Sequence, residues 1–323
     1  MSFLHTQSCE CLKSELLLFD IPPTQTTIEE SNWIHYKPIS SLTDNSPIEF
    51  VVPGNGEDYI DLAHTMLNLR VSIVRKTGSV SAEVRVRLVK SRDNFALMDP
   101  DDVYKIQIDE ANLIVRKVKI SPSIQISHAK TLMKTTAKYP LTRVEVKAIT
   151  MHSGIHGETI DNIILGQLPK RIRIGFVENK AYNGDKKLNP FNFKHFNINF
   201  LCLYIDGIQI PSKPLQPDFT KRNTYIDAYH TLFSGTGIHF LNDGNDLSRS
   251  EYPNGYCLFA FDLIPDLSTN ALTHWNLIKH GCVRLDVRFA EALTSTVNCI
   301  VYAEYENILE IDASRQVIID FSV

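Results

Sequence analysis

The sharpest metal-like cluster lies in HSGIHGE, where His152, His156 and Glu158 fall close together. On a helix, His152 and His156 would share one face at zinc-ligating spacing. Gly154 and Gly157 interrupt that segment and oppose a helix. On a strand the two rings would stand roughly 13 Å apart at ~3.3 Å per residue, too far for one ion. A loop could still bring them together. Elsewhere the chemistry is thinner. Asp243, Asn245 and Asp246 in LNDGNDLS offer fewer carboxylates than a calcium loop needs. Cys9-Glu-Cys11 lacks the two-residue spacer of zinc knuckles. FSGTG at Phe233–Gly237 lacks the Gly-Lys-Ser/Thr that closes a phosphate loop, and no Gly-x-Ser-x-Gly elbow occurs. These residues predict no catalytic site, no metal and no cofactor: the expectation is a protein that is not an enzyme.

A second chemistry is electrostatic. Arg85 and Arg87, Lys117 and Lys119, and Arg171 and Arg173 form pairs in which both members fall on the same parity of an alternating run. Lined up, they would make a basic strip able to screen phosphates with little sequence preference. Residues 71–180 hold 19 Lys+Arg against 11 Asp+Glu, a net of +8, leaving −12 for the remainder of a chain whose net charge is −4. The aromatic interleaving of single-strand binders is missing from these runs. A solvated sheet face is the competing reading.

The elements that must position these residues read as strands. VRVRLVK, YKIQI, RVEVKAIT, RIRIGFV, CLFAFDL, VRLDVRFAEAL and TVNCIVYAEY alternate or run apolar on both parities, and Gly, Pro, Asn and Asp clusters separate them. That pattern predicts an all-β sandwich. Asp206-Gly207, between Ile205 and Ile208, is a strong two-residue hairpin signal, so Asn197–Ile205 should pair with Ile208–Ile210. The first of these strands ends apolar on both faces, which predicts that it passes beneath another domain or subunit. Helices are few and short. Asn223–Phe233 has Tyr225, Ile226, Tyr229, Leu232 and Phe233 at helical spacing, with Gly235 and Gly237 to end it. Ile28–Tyr36 could hold one turn.

With 323 residues, 43% of them hydrophobic, the chain is long enough for a substantial core. Its six cysteines are dispersed, and four lie in apolar runs, which argues against a disulfide framework. Leu16–Phe19 is too short for the apolar core of a secretion signal, and no apolar run approaches the ~18 residues of a spanning helix. The expected setting is a reducing intracellular compartment, or a particle assembled there. The first 45 residues are polar and turn-rich and read as an extended arm.

Longer blocks carry a resemblance. PPTQTTIEESNWIHYKPISSLTDNSPIEFVVPGNGEDYIDLAHTMLNLRV, RLVKSRDNFALM, VRKVKISPS, LGQLPKRIRIGFVENKAYNGD, NPFNFKHFNINFLCLYIDGIQIPSKPLQPDF and GNDLSRSEYPNGYCLFAFDLIPDL resemble the major capsid protein of Polinton (Maverick) elements and adintoviruses, and related capsid-like proteins in animal genomes. The resemblance runs over nearly the whole chain. It implies a double jelly roll, three copies of which form a capsomer that tiles an icosahedral shell, with no catalysis. It implies further partners as well: a penton or minor capsid protein, and non-specific contact with packaged DNA through the basic strip. The location it implies is the virion.

This sequence departs from the family between MLNLRV and VRVRLVK, where only SIVRKTGSVSAE stands in place of a much longer stretch. The expected architecture is therefore a shortened double jelly roll: an arm over residues 1–38, a remnant of the first jelly roll over 39–129, and a complete second jelly roll over 130–323. Three functions are weighed. One is a capsid subunit acting by self-assembly. The second is a capsid-derived jelly roll domesticated in a host genome, binding protein or glycan. The third, a jelly-roll metalloenzyme, needs His152, His156 and Glu158 to converge and is the least favoured.

Overall fold

The computed structural model describes residues 27–42, 47–53, 58–75, 97–101, 104–238, 244–265, 267, 269, 275–314 and 316–319. The chain divides into two compact units, one of residues 20–136 with 184–189, the other of residues 1–19, 137–183 and 190–323.

The larger unit is a sandwich of two antiparallel sheets. Its strands in chain order are β4 (Ala137–Met151), β5 (Gly157–Gln167), β6 (Arg171–Glu178), β7 (Phe193–Lys194), β8 (Ile198–Ile205), β9 (Ile208–Leu215), β10 (Asn254–Gly255), β11 (Leu258–Asp262), β12 (His280–Phe289), β13 (Val297–Ile311) and β14 (Val317–Ile319). One sheet runs β11-β6-β13-β4, with β14 against the far end of β13. The other runs β5-β12-β8-β9. Apart from the β8–β9 and β13–β14 pairs, and from β7 and β10, which pair with each other, successive strands alternate between the two sheets, and late strands insert between early ones. That interleaving of two four-stranded sheets is the jelly roll, and this unit holds all eight of its strands.

The core sits between the sheets. Ile172, Ile174 and Phe176 of β6, Leu201 and Leu203 of β8, Val283, Leu285 and Val287 of β12, and Val297, Cys299 and Val301 of β13 are all buried in one cluster. Each set steps by two residues, as the pleat requires when one face of every strand meets the interior. Phe176 is the hub, with Phe259 and Phe289 edge-on to it at 6.4 Å. The expected hairpin is present: Ile205 pairs with Ile208, and Asp206 and Gly207 between them take φ of 50° and 84°. Asp206 fixes the turn further by accepting the Cys282 backbone N–H at 2.9 Å.

A helix over Ile226–Ser234 appears where the spacing placed one, but its buried face is turned. Tyr225, Ala228 and Thr231 are buried, Tyr229 and Leu232 pack on the core, and Ile226 points to solvent. Gly235 ends it with an ordinary helical φ of −75°. Its reason for being glycine is space: an added Cβ would lie 2.1 Å from the Ala260 carbonyl oxygen on β11.

The smaller unit is a three-stranded antiparallel sheet in the order β1 (Ile28–Tyr36), β3 (Tyr104–Ile120), β2 (Asp58–Arg75). Its small core gathers Ile48, Phe50, Ala111, Leu113 and Val115. Ile28–Tyr36 is therefore strand and not the helical turn expected from sequence; eight of its residues pair with β3, and that ladder overrides local preference. Conversely Pro122–Leu132, whose apolar residues make no helical stripe, forms a helix with no buried residue, started by proline at its first position. We label the three helices among the described residues α1 (Pro122–Leu132), α2 (Asn179–Tyr182) and α3 (Ile226–Ser234).

Candidate interaction surfaces

The expected basic strip does not stand as a row of free cations among the described residues. Arg171 and Arg173 lie one residue apart on β6, as the alternation requires, but both turn to Glu304 on β13. Arg171 is buried; it reaches Glu304 at 3.5 Å and donates to the Thr236 carbonyl at 2.9 Å, just beyond α3. Burial lowers the Arg171 pKa, and the Glu304 charge opposes that shift. Arg173 also lies over the Tyr302 ring at 5.2 Å. In the smaller unit Lys117 is buried and donates to the Pro53 carbonyl at 3.1 Å. Lys119 is exposed, with Glu30 of β1 and Asp58 of β2 directly opposite it in the register. Arg85 and Arg87 lie outside the described residues.

His152 and His156 fall on the β4–β5 connection, and Glu158 lies on β5 itself, opposite Val287 of β12. Gly154, with φ of +89°, gives its N–H to the Leu293 carbonyl, and Leu293 returns one to the Ile155 carbonyl, so the loop is held flat against the β12–β13 connection. Both histidines face solvent. Among the described residues no group of three His, Cys, Asp or Glu side chains is placed to hold a metal. Asp243, Cys9 and Cys11 lie outside the described residues. The buried thiols of Cys257 and Cys299 have raised pKa values, Cys257 to about 12, because burial disfavours the thiolate; a nucleophile or ligand would need the reverse.

The doubly apolar end of β8 has a cover within its own sheet. Leu201 and Leu203 face the core. On the other face, Arg284 of β12 lies over Tyr204 at 4.4 Å and Arg288 lies over Phe200 at 4.8 Å, each directly opposite its ring in the register. Between them Asp286, opposite Cys202, holds Arg288 at 2.9 Å. The arginine stems and guanidinium planes spread over the rings and leave the charged ends in water. This ladder escaped the sequence reading, although its two rows are legible in it: Arg284, Asp286 and Arg288 share one parity of VRLDVRF, and Phe200, Cys202 and Tyr204 one parity of NFLCLY.

Two further surfaces belong to the larger unit. A cavity of about 630 Å³ opens at one end of the sandwich, lined by Ile205, Ile208, Ile210, Ile264, Trp275 and Leu277 among others. Several of its polar groups serve the fold: Glu306 accepts the backbone N–H and a side-chain N–H of Asn276, and Lys170 donates to the Thr269 carbonyl. The second is the outer side of β4, where Val144 and Val146 are exposed. In the smaller unit, Trp33, Leu62 and Met66 are exposed on β1 and β2. Among the described residues no helix is long and apolar enough to cross a membrane.

No family model matches the chain. It is 28% identical over 187 residues to the uncharacterized protein F54H12.2 of Caenorhabditis elegans; the match takes in 57% of this chain and 44% of that protein, so the chain spans less than half of the curated relative it resembles. Among solved structures it is similar to the capsid of the virus PBCV-1, with a TM-score of 0.51 at 8% identity over 94% of this chain and all of that one. The mavirus major capsid protein overlaps 69% of this chain at 12% identity, with a TM-score of 0.32 that is too low to establish a common fold. The PBCV-1 likeness agrees with the strand order described above: the fold is the jelly roll found in viral capsid proteins.

Proposed function

We propose that this chain is a structural capsid subunit of the Polinton and adintovirus type, acting by self-assembly into trimeric capsomers rather than by catalysis. The observation that carries this reading is the complete interleaved eight-strand order of the larger unit, together with the end-to-end overlap with a viral capsid protein. In this reading the larger unit corresponds to the second jelly roll, at 130–323. Residues 39–129 are what remains of the first, and residues 1–38 are its arm. The subunit belongs in the virion, with a penton or minor capsid protein as neighbour. Contact with packaged DNA is the least supported part, because Arg171 and Arg173 are occupied by Glu304.

The test is the mass of the purified full chain by light scattering, with negative-stain microscopy. Trimers or larger regular particles are the expected result. A strictly monomeric protein at high concentration overturns the proposal.

The C. elegans relative favours a second reading, since it is a protein of an animal genome. Here the jelly roll is a domesticated module that binds protein or glycan through its loops, as sandwiches of one architecture serve many functions. A specific glycan-array signal from a protein that forms no particles would select it.

A further inference from the structure

Strand β4 pairs with β13 along its whole length, from Ala137 opposite Ile311 to Met151 opposite Val297, without a bulge. Among the described strands none pairs with its other edge. An edge of 15 residues that no described strand pairs with is a template for another strand. Natural edges are blunted by bulges, proline or inward-turned charges; here no bulge interrupts the ladder, Pro140 stands near one end, and Arg143 and Lys147 in the middle turn inward, to the Tyr305 ring and the Ile163 carbonyl, leaving the outward parity to Val144 and Val146. Val144 is 40% exposed and Val146 59% exposed, and the residues that follow, Lys147 and Ala148, are exposed as well.

The middle of the edge reads Thr142-Arg143-Val144-Glu145-Val146-Lys147. Two copies of it can be laid antiparallel across a two-fold axis through Val144. Arg143 of each copy then falls opposite Glu145 of the other, Val144 meets Val144, and Thr142 meets Val146. Opposite charges directly across a strand pair are favourable, and like charges are not. Moving the axis to Glu145 sets two carboxylates face to face and puts Arg143 against Lys147. Moving it to a point between residues sets Glu145 against Val144 and mismatches the two faces. Moving it to Val146 opposes Glu145 with Lys147, but Lys147 is already committed to the Ile163 carbonyl at 2.9 Å, and Arg143 then faces Ile149. The Val144 register uses side chains already set in place: Arg143 bonds Glu145 along its own strand and lies over the Tyr305 ring at 4.3 Å.

We propose that the free edge of β4 pairs with the same edge of a second copy, in the antiparallel register centred on Val144, so that the β11-β6-β13-β4 sheet continues from one copy into the next. The contact is isologous and two-fold, distinct from the head-to-tail contact that closes a trimer. It therefore goes beyond the capsid reading and does not require it.

The test uses the full chain and two charge reversals, Arg143→Glu and Glu145→Arg. Each alone sets like charges opposite each other twice, and each should weaken self-association at least tenfold by sedimentation. Mixed in equal amounts, the two variants are complementary and should associate with each other, read by energy transfer between differently labelled copies. The double variant R143E/E145R should associate as the unsubstituted chain does. Hydrogen exchange on the unsubstituted protein supplies a readout free of folding defects: the alternate amides within residues 142–146 that point away from β13 should gain protection as concentration rises. Failure of the mixture to associate, or exchange that ignores concentration, overturns the proposal. Trimers that persist with unprotected β4 amides would sink this inference and leave the capsid reading standing; β4 protection without trimers would do the opposite.

Discussion

Replacing Gly235 with alanine separates two reasons a glycine can be present, because they predict opposite signs. Gly235 follows α3 with φ of −75° and ψ of −11°, a conformation any residue adopts. If only backbone freedom mattered, Gly235→Ala would stiffen the unfolded chain and stabilise the fold by about 0.4–1 kcal/mol. The structure dictates otherwise. The new Cβ would stand 2.1 Å from the Ala260 oxygen, 2.3 Å from its carbonyl carbon and 2.7 Å from the Phe261 nitrogen. All three are backbone atoms of β11, which is tied to β6 over five residue pairs and cannot swing aside as a side chain would. Relief requires α3 to lift from the sheet, which also pulls on Thr231, whose hydroxyl accepts the Ala260 N–H at 3.2 Å. Overpacking of this kind costs about 1–3 kcal/mol, occasionally more. For a unit of this size that lowers the melting temperature by roughly 2–4 °C per kcal/mol. Urea denaturation followed by tryptophan fluorescence and circular dichroism measures it, with Gly207→Ala as a contrast. Gly207 has φ of +84° and nothing within 4 Å of its added Cβ, so its cost is conformational strain alone, about 1–2 kcal/mol. A Gly235→Ala protein as stable as the original, or more so, refutes the argument from space.

Glu304→Ala removes the carboxylate that compensates buried Arg171, and should cost about 3–5 kcal/mol in chemical denaturation, whereas the apolar pair Arg171→Met with Glu304→Met should recover most of that loss; equal losses in the single and double variants would contradict the pairing. The half-buried His195 stacks on Phe219 at 4.4 Å, and its Nδ1 accepts the Asn197 backbone N–H at 3.0 Å. Burial lowers its pKa below the usual 6.5, so the folded state binds fewer protons than the unfolded chain. The stability it contributes is full above 6.5 and is lost as pH falls from there through its folded value. A denaturation midpoint that does not drop in that window, or one that drops equally in His195→Phe, would contradict the assignment.

The sequence by itself determined most strands of the larger unit, though not Ile28–Tyr36, because the pleat forces a period of two on any strand with one buried face. VRLDVRF and TVNCIVYAEY carried that period in the residue types themselves. It also fixed the 205–208 hairpin, since Asp-Gly is the dipeptide that tolerates two positive φ values in succession, and it located α3 through its apolar spacing. Which strands lie beside which was decided only in three dimensions: β13 inserts between β4 and β6 across more than a hundred residues of chain, a pairing that no local pattern encodes. The same holds for what covers a face. Alternation shows that Arg171 and Arg173 share a side of β6, but Glu304 and the end of α3, brought there by the fold, turn that side from a solvated basic strip into an enclosed ion pair. Likewise the second apolar face of β8 announces that something must cover it, and only the register with β12 supplies Arg284 and Arg288 as the cover. Side-chain periodicity is a property of one strand, whereas burial and charge compensation belong to pairs of strands, and pairs exist only after folding.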